Sequence, residues 1–172
     1  MYDELILKQK AFFEAGYTLD PRGRRAALQI LANTIKEKAA EGGEAEELLA
    51  EVQVLRKQLH RMSRFALVKA LLARWIPAGN GGFPDPKGTA VIEAGERMSS
   101  LSKLFNQLAI GNTAVIMIAP DTQADGTAVR SIIDETFTED YVAVVDGTAV
   151  DIDLHAGSAD AEGDGFRVFV AE

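Results

Sequence analysis

A run of six apolar residues, Ala114 to Ala119, follows a glycine turn and is closed by Pro120. A short apolar run bounded by turn signals is typical of a strand buried on both faces of a sheet. Apolar residues recur at helical spacing between positions 101 and 108, before this run, and between positions 129 and 137, after it. The order helix, buried strand, helix predicts the centre of a βαβ unit.

Three helices are predicted ahead of this unit. Residues 2–15 form an amphipathic pattern that stops at Gly16. The next helix begins at Asp20-Pro21, a capping residue followed by proline at the first helical position, and ends at the glycine pair 42–43. A third and longer helix is predicted from about residue 44 to residue 75.

The apolar positions of the third helix alternate spacings of four and three, as in a coiled coil. We call them the Leu48–Ala66 seam; its members are Leu48, Val52, Leu55, Leu59, Met62 and Ala66. Such a seam more often packs on the protein's own core, but it also suits a partner protein or a second copy of the chain. Acids open this helix, and bases follow, an order that the helix dipole favours; the bases are Arg56, Lys57, Arg61 and Arg64.

Residues 76–87 contain three prolines and three glycines and are predicted to be a loop. This loop divides the chain into a helical region, residues 1–76, and an α/β region, residues 77–172. We expect the two regions to form one compact domain, with the long helices of the first packing on the sheet of the second.

The α/β region alternates strands and helices. Strands are predicted at residues 88–94, 111–120, 140–146 and 166–170. Helices are predicted at residues 98–110, opened by Ser99 or Ser100, and at residues 123–137. Residues 156–165 are predicted to be a loop, and residues 150–154 suit either a helix or a strand. This alternation predicts a Rossmann-like parallel sheet with right-handed crossovers, flanked by helices.

The formal net charge is -8, and the acids concentrate late in the chain. Residues 120–172 hold 13 acids against Arg130 and Arg167, a balance that argues against nucleic acid as a partner. No apolar stretch is long enough to span a bilayer, and no signal-peptide core is present, so we expect no membrane association and a cytoplasmic location. The absence of cysteine excludes disulfides, thiolate metal ligands and a cysteine nucleophile.

No other motif carries strong chemistry. His60 and His155 are far apart and lack ligand spacing, so we predict no metal site, although His155 near Asp151 and Asp153 makes a mixed site conceivable. The glycine-rich residues 79–82 do not join a strand to a helix, which favours a loop over a phosphate cradle. No residue is predicted to be catalytic.

Several segments together resemble the N-terminal, cofactor-binding part of the aldehyde dehydrogenase superfamily, nearest to its shorter class-3-like members. The segments are Lys8–Gly16, Arg25–Leu31, Asp85-Pro-Lys-Gly88 with the strand after it, Ala109-Ile-Gly-Asn-Thr-Ala-Val-Ile116 and Phe137–Gly147. The resemblance implies a Rossmann-type fold and, in complete members of the family, oxidation of aldehydes with NAD or NADP.

Two stretches depart from the family pattern where its chemistry resides. The family has Pro-Trp-Asn, whose asparagine holds an oxyanion, where this chain has Gly95-Glu96-Arg97. It has Lys-Pro-Ser-Glu, whose lysine and glutamate bind the adenosine ribose, where this chain has Met117-Ile-Ala-Pro120. Ligands of this fold class bind at the carboxyl ends of the strands. The predicted crevice positions are therefore Glu96, Arg97, Met117, Ala119 and Pro120.

The resemblance leaves the cofactor open. It would be NAD or NADP, if any, but methionine at position 117 cannot donate to a ribose hydroxyl. The family's glycine-rich turn after its fourth strand should follow Phe169-Val170, where the given sequence ends. The cysteine nucleophile and glutamate base lie beyond that point in relatives, so we expect that this chain does not perform the family reaction alone.

Three functional hypotheses follow. The first is a non-catalytic, aldehyde-dehydrogenase-like domain, a pseudoenzyme or remnant, that acts by binding a ligand or a protein. The second is an interaction or assembly subunit, self-associating or bound to a partner protein through the Leu48–Ala66 seam. The third is the NAD(P)-binding part of an aldehyde dehydrogenase whose remaining domain another chain supplies.

Overall fold

The computed structural model describes residues 2–38, 43–72, 83–94, 97–147, 159–160 and 166–170. Its helices are α1 (Tyr2–Glu14), α2 (Pro21–Lys38), α3 (Gly43–Leu72), α4 (Arg97–Ile110) and α5 (Gln123–Thr136), and a single 3₁₀ turn (Pro120–Thr122) leads into α5. Its strands are β1 (Gly88–Glu93), β2 (Thr113–Ile118), β3 (Val142–Asp146), β4 (Ala159–Asp160) and β5 (Phe166–Val170). These bounds confirm the predicted helices and strands to within a few residues; α4 begins two residues before Ser99.

The boundary between α1 and α2 has the predicted local chemistry. Gly16 has a φ of 79°, a left-handed conformation that glycine adopts without strain, and it ends the first helix. The Asp20 carboxylate then accepts a hydrogen bond from the backbone N–H of Arg22 at 2.9 Å. This bond satisfies one of the N–H groups that a helix start leaves unpaired.

The sheet has the strand order β3-β2-β1-β5-β4. The first three strands are parallel, with Thr89 opposite Thr113 and Ala114 opposite Val142. The predicted Rossmann-like parallel sheet is therefore confirmed for β1, β2 and β3. Helices α4 and α5 connect these strands and pack on them.

The last strand departs from the prediction of a wholly parallel sheet, because β5 is antiparallel to β1. A parallel neighbour requires the chain to cross back over the sheet, usually through a helix. Here β5 instead pairs with the preceding strand β4, also antiparallel. The prediction of a loop across residues 156–165 was accordingly wrong at Ala159 and Asp160, which pair with β5 despite their low strand propensity.

The two faces of the sheet are covered differently. One face of the sheet packs against helices in the main core cluster, which includes Ile92, Ile116 and Val144. The opposite face forms a smaller cluster around Val115 and Met117, which α1 covers. Of the helices in the described ranges, α2 to α5 therefore lie on one side of the sheet and α1 on the other.

The three N-terminal helices make different contacts. Helix α2 packs on α3, α4 and α5, helix α3 packs on α2 and α4, and helix α1 packs on β1 and β2. Residues of the predicted helical region and of the α/β region share the main core cluster. The predicted boundary at residues 76 and 77 lies outside the described residues.

The first two-thirds of the Leu48–Ala66 seam belongs to this core. Leu48, Val52, Leu55 and Leu59 are buried and pack among residues of the chain itself. The side chains of Met62 and Ala66 lie outside the described part. Within the described ranges, none of the helices is both long and apolar enough to cross a bilayer.

Candidate functional site

The family-like triplet Gly111-Asn112-Thr113 lies at the amino ends of the parallel strands. The Asn112 side-chain oxygen accepts hydrogen bonds from the backbone N–H groups of Lys87 at 2.8 Å and Gly88 at 3.2 Å. Its amide nitrogen donates to Gln107 Oε1 at 2.7 Å. One buried asparagine therefore ties the start of β1 to the end of α4.

Thr113 extends the same connection. Its hydroxyl lies 2.9 Å from the hydroxyl of Thr89, the residue directly opposite it on β1. Both threonines are buried, so the paired hydroxyls satisfy each other where water is excluded. In this chain the triplet aligns two strands and a helix, which is a role in the scaffold.

Arg24 joins the same end of the sheet to the α1–α2 turn. Its guanidinium donates to the carbonyl oxygens of Thr18 at 2.7 Å, Leu19 at 2.9 Å and Ala109 at 3.2 Å. The arginine is only 3% exposed. Its charge is therefore held by backbone dipoles, and burial lowers its pKa from the usual value while Tyr141 and Asp20 act in the opposite direction.

Tyr141 is the strongly perturbed acid of this region. Burial raises its pKa to about 12, and the positive charge of Arg24 opposes that rise. The ring stacks on Phe12 and meets Phe137 edge-on, with centroids 5.4 Å and 5.3 Å away. Apolar rings on two sides explain the cost of ionising this phenol.

The predicted crevice positions lie at the opposite, carboxyl edge of the sheet. The backbone N–H of Ala94 donates to the Met117 carbonyl oxygen at 2.7 Å, and that of Gly147 donates to the Ile118 carbonyl oxygen at 3.0 Å. Ala119 is half-buried and Pro120 is exposed. Glu96 lies outside the described residues, and Arg97 is described only as the first residue of α4.

Met117 does not line an open crevice. Its side chain is 1% exposed and packs with Val91 and Val115 under the apolar face of α1, which contributes Tyr2, Leu5 and Ile6. The Tyr2 hydroxyl donates to the Asp146 carbonyl oxygen at 2.6 Å and so fixes the start of α1 against β3. Position 117 is filled, apolar and closed to a ribose hydroxyl.

A groove that the sequence did not predict runs beside β3, the strand at one edge of the sheet. It has a volume of about 400 Å³ between α1, α5 and the strand. Arg130 donates to the Val144 carbonyl oxygen at 2.9 Å and pairs with the Asp146 carboxylate at 2.8 Å. No pattern in the sequence marks Arg130, because its partners are set by the packing of α5 on β3.

The described residues offer little reactive chemistry at either edge of the sheet. The sequence contains no cysteine, and the described part of the chain has no group of three or more His, Asp or Glu side chains placed to hold a metal ion. His155, Asp151 and Asp153, weighed as a mixed site, lie outside the described residues.

Comparison with solved structures shows a related fold. The chain is similar to AldH of Staphylococcus aureus in a substrate-bound state, an aldehyde dehydrogenase, with a TM-score of 0.66 and 22% sequence identity over 90% of this chain. It spans 38% of the length of that protein. No family model and no curated protein sequence matches the chain. The comparison shows that the chain has the fold of part of an aldehyde dehydrogenase.

Proposed function

We propose that this chain is a non-catalytic, aldehyde-dehydrogenase-like domain that acts by binding. The observation that carries the proposal is the burial of Met117 under α1. The family resemblance places a ribose-binding lysine at this position, and here a side chain without a hydrogen-bond donor fills the space. At the start of the same strand, Asn112 and Thr113 make buried hydrogen bonds that support the scaffold.

The chemical argument concerns the neighbourhood of position 117. A ribose hydroxyl brought to this position would lose water without gaining a partner, since the neighbours are Val91, Val115 and the apolar side of α1. An unpaired buried polar group costs about 1–3 kcal/mol. The site therefore selects against the cofactor half that the family anchors here.

Isothermal titration calorimetry with NAD and NADP tests this proposal. We expect neither dinucleotide to bind at the sheet edge more tightly than the millimolar range. Micromolar binding at the carboxyl edge of the sheet would overturn the proposal, because it would show a cofactor site that needs no donor at position 117. That result would favour the cofactor-binding part of an enzyme completed by another chain.

A second candidate function is that of an assembly subunit, favoured by apolar exposure near the N-terminus. Leu7, Tyr17 and Leu19 are 64%, 68% and 48% exposed. Since Leu48 to Leu59 are buried in the core, a partner would have to use a surface other than that part of the Leu48–Ala66 seam. Sedimentation velocity over a wide concentration range tests self-association, and a strictly monomeric particle would count against it.

A further inference from the structure

A cleft of about 510 Å³ lies between α2 and α3. It is lined by Arg25 from α2 and by Gln53, Arg56, Lys57, His60 and Arg61 from α3. Four of these six side chains are permanent cations, and the described lining contains no carboxylate. The cleft is therefore positively charged, in a chain whose net charge is -8.

The chain pairs its cations with acids at several other places. Lys8 and Lys10 face Glu4 and Glu14 one helical turn away, and Arg130 pairs with Asp146. By contrast, the positions three and four residues on either side of each cleft cation carry no acid. Among the described ion pairs, none involves Arg25, Arg56, Lys57 or Arg61.

The like charges of the cleft carry an energetic cost. Lys57 and Arg61 are four residues apart on one helix, a spacing at which equal charges repel by about 0.2–0.5 kcal/mol. Acids are abundant in this chain, so pairing these cations would have been easy. Unpaired clusters of one sign in a concave surface focus the electrostatic field on a ligand of the opposite sign.

Two of the cleft side chains are held in place. The guanidinium Nη1 of Arg25 lies 2.6 Å from His60 Nδ1. Because arginine only donates hydrogen bonds, Nδ1 must be the acceptor. Arg56 is half-buried, and its Nε is enclosed without a hydrogen-bond partner among the described residues. An enclosed guanidinium N–H without an acceptor carries an energetic cost.

We propose that this cleft binds a small molecule carrying a terminal diphosphate or triphosphate. Its volume lies within the range of about 300–1,000 Å³ that small-molecule sites occupy. Three arginines supply planar donor pairs that match phosphate oxygens, and Lys57 adds a point charge. A single phosphate would engage only part of this set, so the number of cations favours a ligand with several negative charges.

Calorimetry of the full chain with inorganic phosphate, pyrophosphate and tripolyphosphate, at a constant ionic strength of about 0.1 M, tests the proposal. Affinity should rise in that order. Replacing Arg56 or Arg61 by glutamine should each weaken tripolyphosphate binding by about tenfold, the value of one charge-assisted hydrogen bond. Arg61 is exposed, so Arg61→Gln keeps the test valid if Arg56→Gln fails to fold.

Lys36→Gln is the matched control, because Lys36 is an exposed cation of α2 outside the cleft. It removes the same charge and should change tripolyphosphate affinity less than about twofold, since exposed charges beyond about 10 Å are screened. The proposal is overturned if tripolyphosphate fails to bind, or if Lys36→Gln weakens binding as much as Arg61→Gln does.

Two further titrations identify the ligand and separate this proposal from that for the sheet edge. ADP binding more tightly than pyrophosphate would support a nucleotide, and equal affinities would support recognition of the phosphates alone. NAD also carries a diphosphate. NAD binding lost in Arg61→Gln belongs to the cleft and would overturn the requirement for a terminal phosphate group, since the diphosphate of NAD is internal. NAD binding that persists in this variant belongs to the sheet edge and counts against the proposed function alone.

Discussion

The guanidinium of Arg24 occupies the space in which a side chain at position 111 would stand. A Cβ atom built on Gly111 would lie 2.8 Å from Arg24 Cζ, and Gly111 has a φ of 109°. Both the packing and the backbone conformation therefore require glycine here. The first residue of the family-like triplet is explained by its contact with a buried arginine from another helix.

We expect Gly111→Ala to destabilise the protein. The strained backbone alone should lower the free energy of unfolding by about 1–3 kcal/mol, and the overlap with Arg24 adds to this loss. Urea denaturation followed by circular dichroism measures the change. Gly23→Ala is the matched control, since a Cβ there meets nothing nearer than the Tyr17 carbonyl oxygen at 3.7 Å. It should be neutral or stabilising.

A double-mutant cycle with Arg24→Ala separates the two causes. If the overlap contributes, Gly111→Ala should cost less in the Arg24→Ala background, with a coupling energy of about 1 kcal/mol. Equal costs in both backgrounds would assign the whole effect to the φ angle of residue 111.

Alkaline pH should weaken the protein through Tyr141. Its pKa is about 12 when folded and about 10 when unfolded, so above pH 10 the unfolded chain releases a proton that the folded chain retains. The contribution of the un-ionised Tyr141 to the free energy of unfolding is complete below pH 10, and it is lost as pH rises towards 12. The loss should reach about 2–3 kcal/mol.

Urea denaturation at several values between pH 9 and pH 12 measures this dependence. The Tyr141→Phe variant has no phenol hydroxyl to ionise. Its free energy of unfolding should therefore fall less than that of the wild type across this interval. Tyr17→Phe, at an exposed tyrosine, is the control and should follow the wild type. Identical slopes for all three proteins would show that Tyr141 ionises as readily in the folded state as in the unfolded state.

A lysine placed at position 117 should not create a cofactor site. Met117→Lys would place an ammonium group among Val91, Val115 and the apolar face of α1, and we expect a loss of more than about 4 kcal/mol. Met117→Leu conserves the volume and should cost less than about 1.5 kcal/mol. A stable Met117→Lys variant that binds NAD would show that α1 opens readily.

Helix α5 approaches β2 closely enough to require glycine at position 126. A Cβ there would overlap the side chain of Ile118, whose Cδ1 would be 2.8 Å away. Gly126→Ala should cost about 1–3 kcal/mol through overpacking. In an Ile118→Ala background the same substitution should become neutral or stabilising, and a persistent cost there would contradict the packing explanation.

The sequence predicts the parts of this fold that depend on local pattern. Asp20 and Pro21 specify a helix start by themselves, and the apolar run before Pro120 specifies a buried strand. The prediction of a parallel sheet was wrong for β5, because the residues of a strand do not encode its direction relative to its neighbours. The burial of Met117 was missed because it depends on where α1 packs.

The basic cleft illustrates the same limit. The order of charges in α3 predicts only bases that complement the helix dipole, among them Arg56, Lys57 and Arg61. The lack of acids at the neighbouring helical positions was a signal already present in the sequence. The contribution of Arg25 required the packing of α2 on α3, which no single helix pattern contains.

Helix α1 has one more consequence, for solubility. It covers the apolar cluster around Met117, and through Tyr2 it occupies a backbone carbonyl on the outer side of β3. Exposed strand edges are templates for pairing with other molecules. We expect a fragment lacking the first 14 residues to expose this apolar sheet face together with a free carbonyl on the edge strand, and therefore to aggregate more readily than the full chain.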